Sequence, residues 1–98
     1  MTEKYGSAIR ITTVLTDAEL DAAVPVVLSR CGDCVICADS CPGHAPSGED
    51  WTSNRERGSF FDAFACAGAA RKQALAKLSV DDTICGICIA VCPWTVKY

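Results

Sequence analysis

The chain has 98 residues, eight of them cysteine, and nine Lys or Arg stand against twelve Asp or Glu for a net charge of −3. That length fits a single domain over residues 1–98, and the cysteine content approaches that of chains held together by cysteine chemistry. The acidic balance and the lack of a glycine-rich phosphate fingerprint argue against a nucleic-acid or nucleotide binder, and no apolar run is long enough for a membrane span.

In chain order, the N-terminal Met1-Thr-Glu-Lys-Tyr-Gly-Ser lacks the apolar stretch of a signal peptide. The default compartment is then the reducing cytoplasm, where disulfide frameworks are rare. Residues 8–15, Ala-Ile-Arg-Ile-Thr-Thr-Val-Leu, are β-branched and partly alternating. Ile9, Ile11 and Leu15 would share one face of a strand, with Arg10 and Thr12 opposite. Asp17 opens a short turn or loop, and Pro25 leads into the first cysteine run. Residues 42–58 are rich in turn formers and read as loop. Asp62 then suits an N-cap, with Phe61 and Cys66 placed as a staple pair around it. Strong helix formers follow from Ala63 to about Leu78. Phe64, Ala67, Arg71, Ala74, Leu75 and Leu78 share a side at helical spacing. Arg71, Lys72 and Lys77 lie toward the end that the helix dipole makes favourable for cations. Asp81-Asp82-Thr83 break this helix before the second cysteine run.

The first run reads Cys31-Gly-Asp-Cys34-Val-Ile-Cys37-Ala-Asp-Ser-Cys41-Pro42. This is C-x2-C-x2-C-x3-C-P, the run of bacterial ferredoxins, whose fourth cysteine ligates the other cluster. A ligand every third residue of a tight loop reaches three iron corners of one cubane. Pro42 fixes φ and turns the chain away. The second run, Cys85-Gly-Ile-Cys88-Ile-Ala-Val-Cys92-Pro93, repeats the pattern without its first member. Aligning the two Cys-Pro pairs puts Asp82 at the missing position and leaves Cys66 over. Two 4Fe-4S clusters need eight thiolates. The simplest assignment gives Cys31, Cys34, Cys37 and Cys92 to one cluster and Cys41, Cys66, Cys85 and Cys88 to the other. Asp82 as an oxygen ligand, with Cys66 a buried structural cysteine, is the rival.

Zinc held by two C-x2-C pairs is an alternative, but it requires neither Cys37 nor the Cys-Pro endings. Haem lacks its C-x-x-C-H, and a Rieske centre needs two histidines where the chain has only His44. Gly32 and Gly86 each follow a ligand, where glycine permits unusual φ and close approach. The N–H groups of Gly32, Asp33, Val35, Gly86 and Ile87 are expected to face the sulfurs. His44 reads as a polar loop residue rather than a proton site. Trp94 reads as packing against a cluster loop rather than relaying electrons. Trp51 suits a partner contact or a cover for the core. Arg55 and Arg57 suit docking of an acidic partner, with solvated surface charge as the commoner explanation.

Two cysteine runs with a solitary cysteine between them resemble the double-cluster domain of epoxyqueuosine reductases and reductive dehalogenases. Cys92-Pro93-Trp94 and Thr13-Val14-Leu15-Thr16-Asp17 are also similar to that group. The resemblance covers roughly residues 6 to 95. It implies a two-cluster ferredoxin-like unit that feeds electrons to a corrinoid on a separate domain, with Cys92 joining the first three cysteines. No catalytic residue of those enzymes maps onto this chain.

The expected fold is α+β: a small bacterial-ferredoxin-like domain with a loop and helix inserted between the two motifs. The expected function is electron transfer through two 4Fe-4S clusters, as a small carrier or as the input module of a reductase, and not catalysis by this domain itself. The partner is then a redox protein or a missing catalytic domain. A fragment of a corrinoid-dependent reductase and a metal-stapled interaction domain are the alternatives. Each oxidised four-thiolate cluster carries about −2, so two take the formal charge to roughly −7.

Overall fold

In the computed structural model, which describes residues 2 and 4–96, the first cysteine run folds into a single helical turn, α1 (Ile36–Asp39). A second turn, α2 (Arg57–Phe60), interrupts the predicted loop. Then comes the long helix α3 (Ala63–Leu78), and two further turns follow, α4 (Ile87–Ala90) and α5 (Pro93–Val96).

Helix α3 occupies the span its composition predicts. Alanine has the highest helix propensity, and both ends are closed. The Asp62 carboxylate accepts the N–H groups of Phe64 and Ala65, each at 2.9 Å, which satisfies two donors that helix geometry leaves free. At the other end Ser79 turns left-handed, with φ 55°. Its N–H reaches the Leu75 carbonyl at 3.1 Å, and that of Val80 reaches Ala74 at 3.4 Å. Arg71 then grips both oxygens of Asp81, tying the helix to the stretch that enters the second cysteine run.

The buried face of α3 differs from the predicted one. Ala70 and Ala74 are buried, while Phe64 is 92 % exposed and Leu75 and Leu78 are more than half exposed. The reason is the closeness of the neighbouring chain. A Cβ on Gly43 would lie 2.7 Å from both the Ala65 carbonyl oxygen and the Ala69 Cβ. Only small side chains fit such an approach, so the large apolar ones are left outside.

The internal repeat read from the cysteines is repeated in the backbone. α1 and α4 fall at equivalent places when Cys41-Pro42 is aligned with Cys92-Pro93. Asp39 N–H bonds the Val35 carbonyl at 3.0 Å, as Ala90 N–H bonds Gly86 at 2.9 Å. Ser40 to Ile36 (3.0 Å) matches Val91 to Ile87 (2.9 Å), and His44 to Cys41 (3.0 Å) matches Thr95 to Cys92 (2.9 Å). The turns end alike too, Ser40 at φ −83°, ψ −8° and Val91 at φ −84°, ψ −10°. α1 packs against α4, and α4 against α5.

The strand expected over residues 8–15 is absent: this stretch carries no regular structure and no bridge. Among the described residues the chain makes only isolated antiparallel bridges, Thr2 with Gly6, Leu28 with Thr52 and Pro46 with Phe61. Alternation creates an apolar edge, but a strand also needs a partner for its backbone groups. None of the helices or loops supplies one. From Ile11 to Leu28 the segment is exposed along its length, Leu15 and Val24 each at 93 %.

The apolar core is correspondingly small, with Ala45, Ala70, Ala74 and Cys92 as its buried members. The accessible surface is 7867 Å², whereas a compact protein of this mass exposes about 5,400 Å². The radius of gyration, 15.6 Å, likewise exceeds the roughly 13 Å of a compact domain this long. With so little buried, cysteine chemistry is left as the main means of holding the chain together.

Candidate metal centre

The site begins with backbone turns that fix each cysteine. Leu28 is bridged to Thr52 through Ser29 N–H to the Trp51 carbonyl (2.9 Å) and Ser53 N–H to Val27 (3.1 Å). This anchors the chain just before Cys31. Ser29 Oγ then accepts the Cys31 N–H at 3.1 Å, and Cys34 N–H closes a turn onto the Cys31 carbonyl at 3.2 Å. Gly32 in that turn has φ +55°, the left-handed conformation the sequence suggests. Gly86 does not share it. At φ −157° it stands at the N-cap of α4, so only one of the two glycines serves that purpose.

Cys41 is brought to α3 by a clamp centred on Ala45. The buried Ala45 donates its N–H to Cys41 Sγ at 3.5 Å, and its carbonyl accepts the Asp62 N–H at 2.8 Å. Ser47 N–H adds a bond to the Phe60 carbonyl at 2.9 Å. The loop after Cys41 therefore runs beside the start of α3, where Cys66 lies in the second turn. Gly43 makes this approach possible.

All eight cysteines are free thiols, Cys92 buried, Cys85 exposed and the others half-buried. Their mutual influence sorts them. Burial pushes the Cys66 thiol up, and the negative charges of Cys88, Cys41 and Cys85 push it further. Burial likewise raises Cys37, with Cys31 and then Cys88 adding to it against its own N–H and that of Ala38. Cys92 behaves oppositely. Burial would raise it, yet hydrogen bonds from the Trp94 and Thr95 backbone and the Ser7 and Thr95 side chains hold it below the usual thiol range. Stabilised thiolates of this kind are what iron ligation requires. The backbone donor that reaches Cys41 Sγ is Ala45, a position that the cysteine spacing does not single out.

Asp82 is exposed; one oxygen of its carboxylate accepts the Thr83 N–H at 2.6 Å, and its charge acts on Arg71. His44 is exposed at a left-handed corner, φ 48°. Trp94 is half-buried in α5, next to α4. Trp51 is half-buried, its carbonyl spent on Ser29. Arg55 is engaged by Glu49 at 2.6 Å and by the Asp50 carbonyl at 3.2 Å. Arg57 lies over the Phe61 ring at 5.5 Å. Both arginines thus serve the loop they stand in.

Among the described residues, no three His, Cys, Asp or Glu side chains converge as ligands of a single metal ion do. The thiols form wider groups, in which Cys31 and Cys88 act on Cys37, and Cys88, Cys41 and Cys85 act on Cys66. That arrangement fits a multi-iron group gripped from its outside, and the sulfurs present match the purely thiolate ligation of such clusters. No helix among the described residues is long and apolar enough to cross a membrane.

Comparison with known proteins agrees. No curated protein and no solved structure matches the chain. The family model described as a 4Fe-4S double cluster binding domain matches residues 30–95, a span that starts just before Cys31, takes in all eight cysteines and ends after Cys92. With the paired turns, the shared thiol environment and this match together, the chain belongs to the 4Fe-4S double cluster binding domain family.

Proposed function

We propose that the protein is the electron-input module of a larger reductase system, passing single electrons between two 4Fe-4S clusters. Cys31, Cys34, Cys37 and Cys92 hold one cluster, and Cys41, Cys66, Cys85 and Cys88 hold the other. The carrying observation is the electrostatic neighbourhood of Cys66, which consists of Cys88, Cys41 and Cys85. Those are the other members of its set, whereas no charge of Asp82 acts on Cys66 and one Asp82 oxygen accepts the Thr83 N–H. When bound, the clusters supply one-electron storage at potentials set by hydrogen bonds and exposure. The chain's own part is to hold the two sets side by side through α1 and α4 and to place donors on Cys41 and Cys92. Electrons then need only cross the α1–α4 contact.

The exposed segment 11–28 favours a module over a free carrier. It places Ile11, Val14, Leu15, Leu20, Val24 and Val26 in solvent, a large apolar area for a protein that works unaccompanied. It leads directly to Ser29 and Cys31, so a protein docked there sits beside the first cysteine turn. The segment includes the stretch that resembles epoxyqueuosine reductases and reductive dehalogenases, which makes a reductase of that class the first partner to test.

Anaerobic preparation, iron and sulfide analysis, and low-temperature EPR of the reduced protein test the reading. Two interacting reduced clusters are expected, with one lost in Cys66→Ala and both kept in Asp82→Ala. Zinc without acid-labile sulfide, or full iron in Cys66→Ala, would overturn it.

A further inference from the structure

The exposed segment is a loop with two feet. Its later foot is the bridge of Leu28 to Thr52, where Ser29 N–H reaches the Trp51 carbonyl at 2.9 Å and Ser29 Oγ accepts the Cys31 N–H at 3.1 Å. Its earlier foot stands against the far end of the chain. A tight turn closes Thr2 onto Gly6, with Thr2 N–H to the Gly6 carbonyl at 2.8 Å and Gly6 N–H to the Thr2 carbonyl at 3.1 Å. Gly6 is buried at φ +56°, and a Cβ there would lie 2.7 Å from the Thr95 nitrogen and the Trp94 carbonyl carbon. Glycine permits this approach. Ser7 N–H then reaches Thr95 Oγ1 at 3.3 Å, and the two hydroxyl oxygens lie 3.1 Å apart, one donating to the other.

Both feet lead to one ligand set. Ser29 Oγ holds the N–H of Cys31, which opens the set. Trp94 and Thr95 belong to α5, which begins directly after Cys92, its last member and the buried cysteine. α5 is a single turn packed on α4, itself a single turn. Turns of that length do not hold by themselves in water. Cys92 stands between them, so a cluster gripping its thiolate fixes the place of α5. Closing a long unstructured loop costs chain entropy. The side-chain hydrogen bonds and the close backbone approach of the earlier foot are small against that cost. They hold while α5 is fixed.

We infer that residues 2–7 form a latch on α5 that is set by the cluster held through Cys92. With that cluster in place the apolar segment is a closed loop beside the first cysteine turn. Without it the segment is a tail, released at its earlier foot and no longer a formed surface. The inference rests on the ligand assignment proposed above and adds regulation to the docking segment described there. The coupling is reciprocal, since a cluster that stabilises the latch is stabilised by it to the same extent. Gly6 and Ser7, which lie outside both cysteine motifs, thereby serve one cluster and not the other.

The test uses anaerobic holoprotein and two readouts: amide exchange, and the rate at which a chelator removes each cluster, followed by EPR of the reduced protein. Cys34→Ala removes a ligand of the Cys92 set that lies outside α4 and α5, and Cys66→Ala removes one of the other set. Exchange at Gly6 and Ser7 should quicken by about tenfold or more in Cys34→Ala and stay at the wild-type rate in Cys66→Ala. Ser53 N–H, bonded to the Val27 carbonyl at 3.1 Å, belongs to the later foot and should keep its protection in both. Gly6→Ala leaves every ligand in place and sets a Cβ against the backbone of α5. It should lose the cluster that Cys66→Ala keeps about tenfold faster than wild type does, and the other at the wild-type rate. Unchanged exchange in Cys34→Ala, equal quickening in Cys66→Ala, or unaltered or equally quickened loss of both clusters from Gly6→Ala would overturn the inference. If Cys34→Ala takes up neither cluster, Gly6→Ala decides alone by the chelator criterion. A wild type that holds fewer than two clusters, or Cys66→Ala with full iron, refutes the ligand assignment instead, and iron analysis shows this before exchange is measured.

Discussion

Gly43 decides how near Cys41 comes to Cys66. Its missing side chain lets the post-cysteine loop touch the Ala65 carbonyl and the Ala69 methyl. Gly43→Ala introduces overlap with backbone that cannot swing away, an overpacking cost of about 1–3 kcal/mol. The loop is expected to lift from α3 and separate Cys41 from Cys66. Iron analysis and EPR should find the cluster of the Cys41 set depleted and that of the Cys92 set retained. Gly58→Ala, where a Cβ meets open space, serves as the control and should leave both. At this scale the sequence is a good guide to which residues matter and a poor one to which partners they find. The cysteine spacing marks seven candidate ligands and leaves one cysteine over. The donor on Cys41 sulfur is Ala45, whose position carries no motif. Gly6 acquires meaning only once Trp94 and Thr95 are seen against it.

Among the elements, α3 is the most legible. Its alanine-rich composition and the Asp62 cap set its start and extent, and the residues that break it follow at once. The cap is strong enough that Asp62→Ala should cost about 1 kcal/mol. The other end is less favourable, since Ser79 holds a left-handed conformation that glycine adopts freely. Ser79→Gly should therefore stabilise the holoprotein by about 1 kcal/mol, read as a raised midpoint of thermal unfolding. The same element shows where periodicity misleads. Large apolar residues at helical spacing mark a buried face when the neighbour is another helix at ordinary distance. Here the neighbour is a glycine loop in backbone contact, so alanines are buried and Phe64 is not. The segment 8–15 fails for the complementary reason. Its pattern is that of a strand, and the described residues offer no edge that receives it.

The whole molecule is short of buried apolar surface. Among the described residues no large side chain is fully buried, and the elements that meet are single turns of four residues. An isolated turn of that length is far below what helix formation sustains in water. Their pairing must be supported by the metal groups that the cysteines hold, so cluster binding and folding are coupled. Anaerobic removal of iron by a chelator should abolish the α1–α4 pairing while α3 keeps part of its helix. Circular dichroism is expected to fall only partly as amide exchange at Asp39, Ser40, Ala90 and Val91 becomes fast. Persistent protection of those amides without iron would refute the coupling.

The sequence by itself determined the chemistry of this protein, because iron ligation depends on residue type and on spacing along a tight turn, both of which are local. Two cysteine runs, their Cys-Pro endings and the inserted helix could all be read directly. The tertiary structure decided what depends on approach between distant segments. It brought the loop after Cys41 against the start of α3 through a glycine contact and joined Ser7 to Thr95 across the length of the chain. It also left residues 8–26 without a bridge to another segment among the described residues, because pairing is a property of two surfaces and not of one pattern.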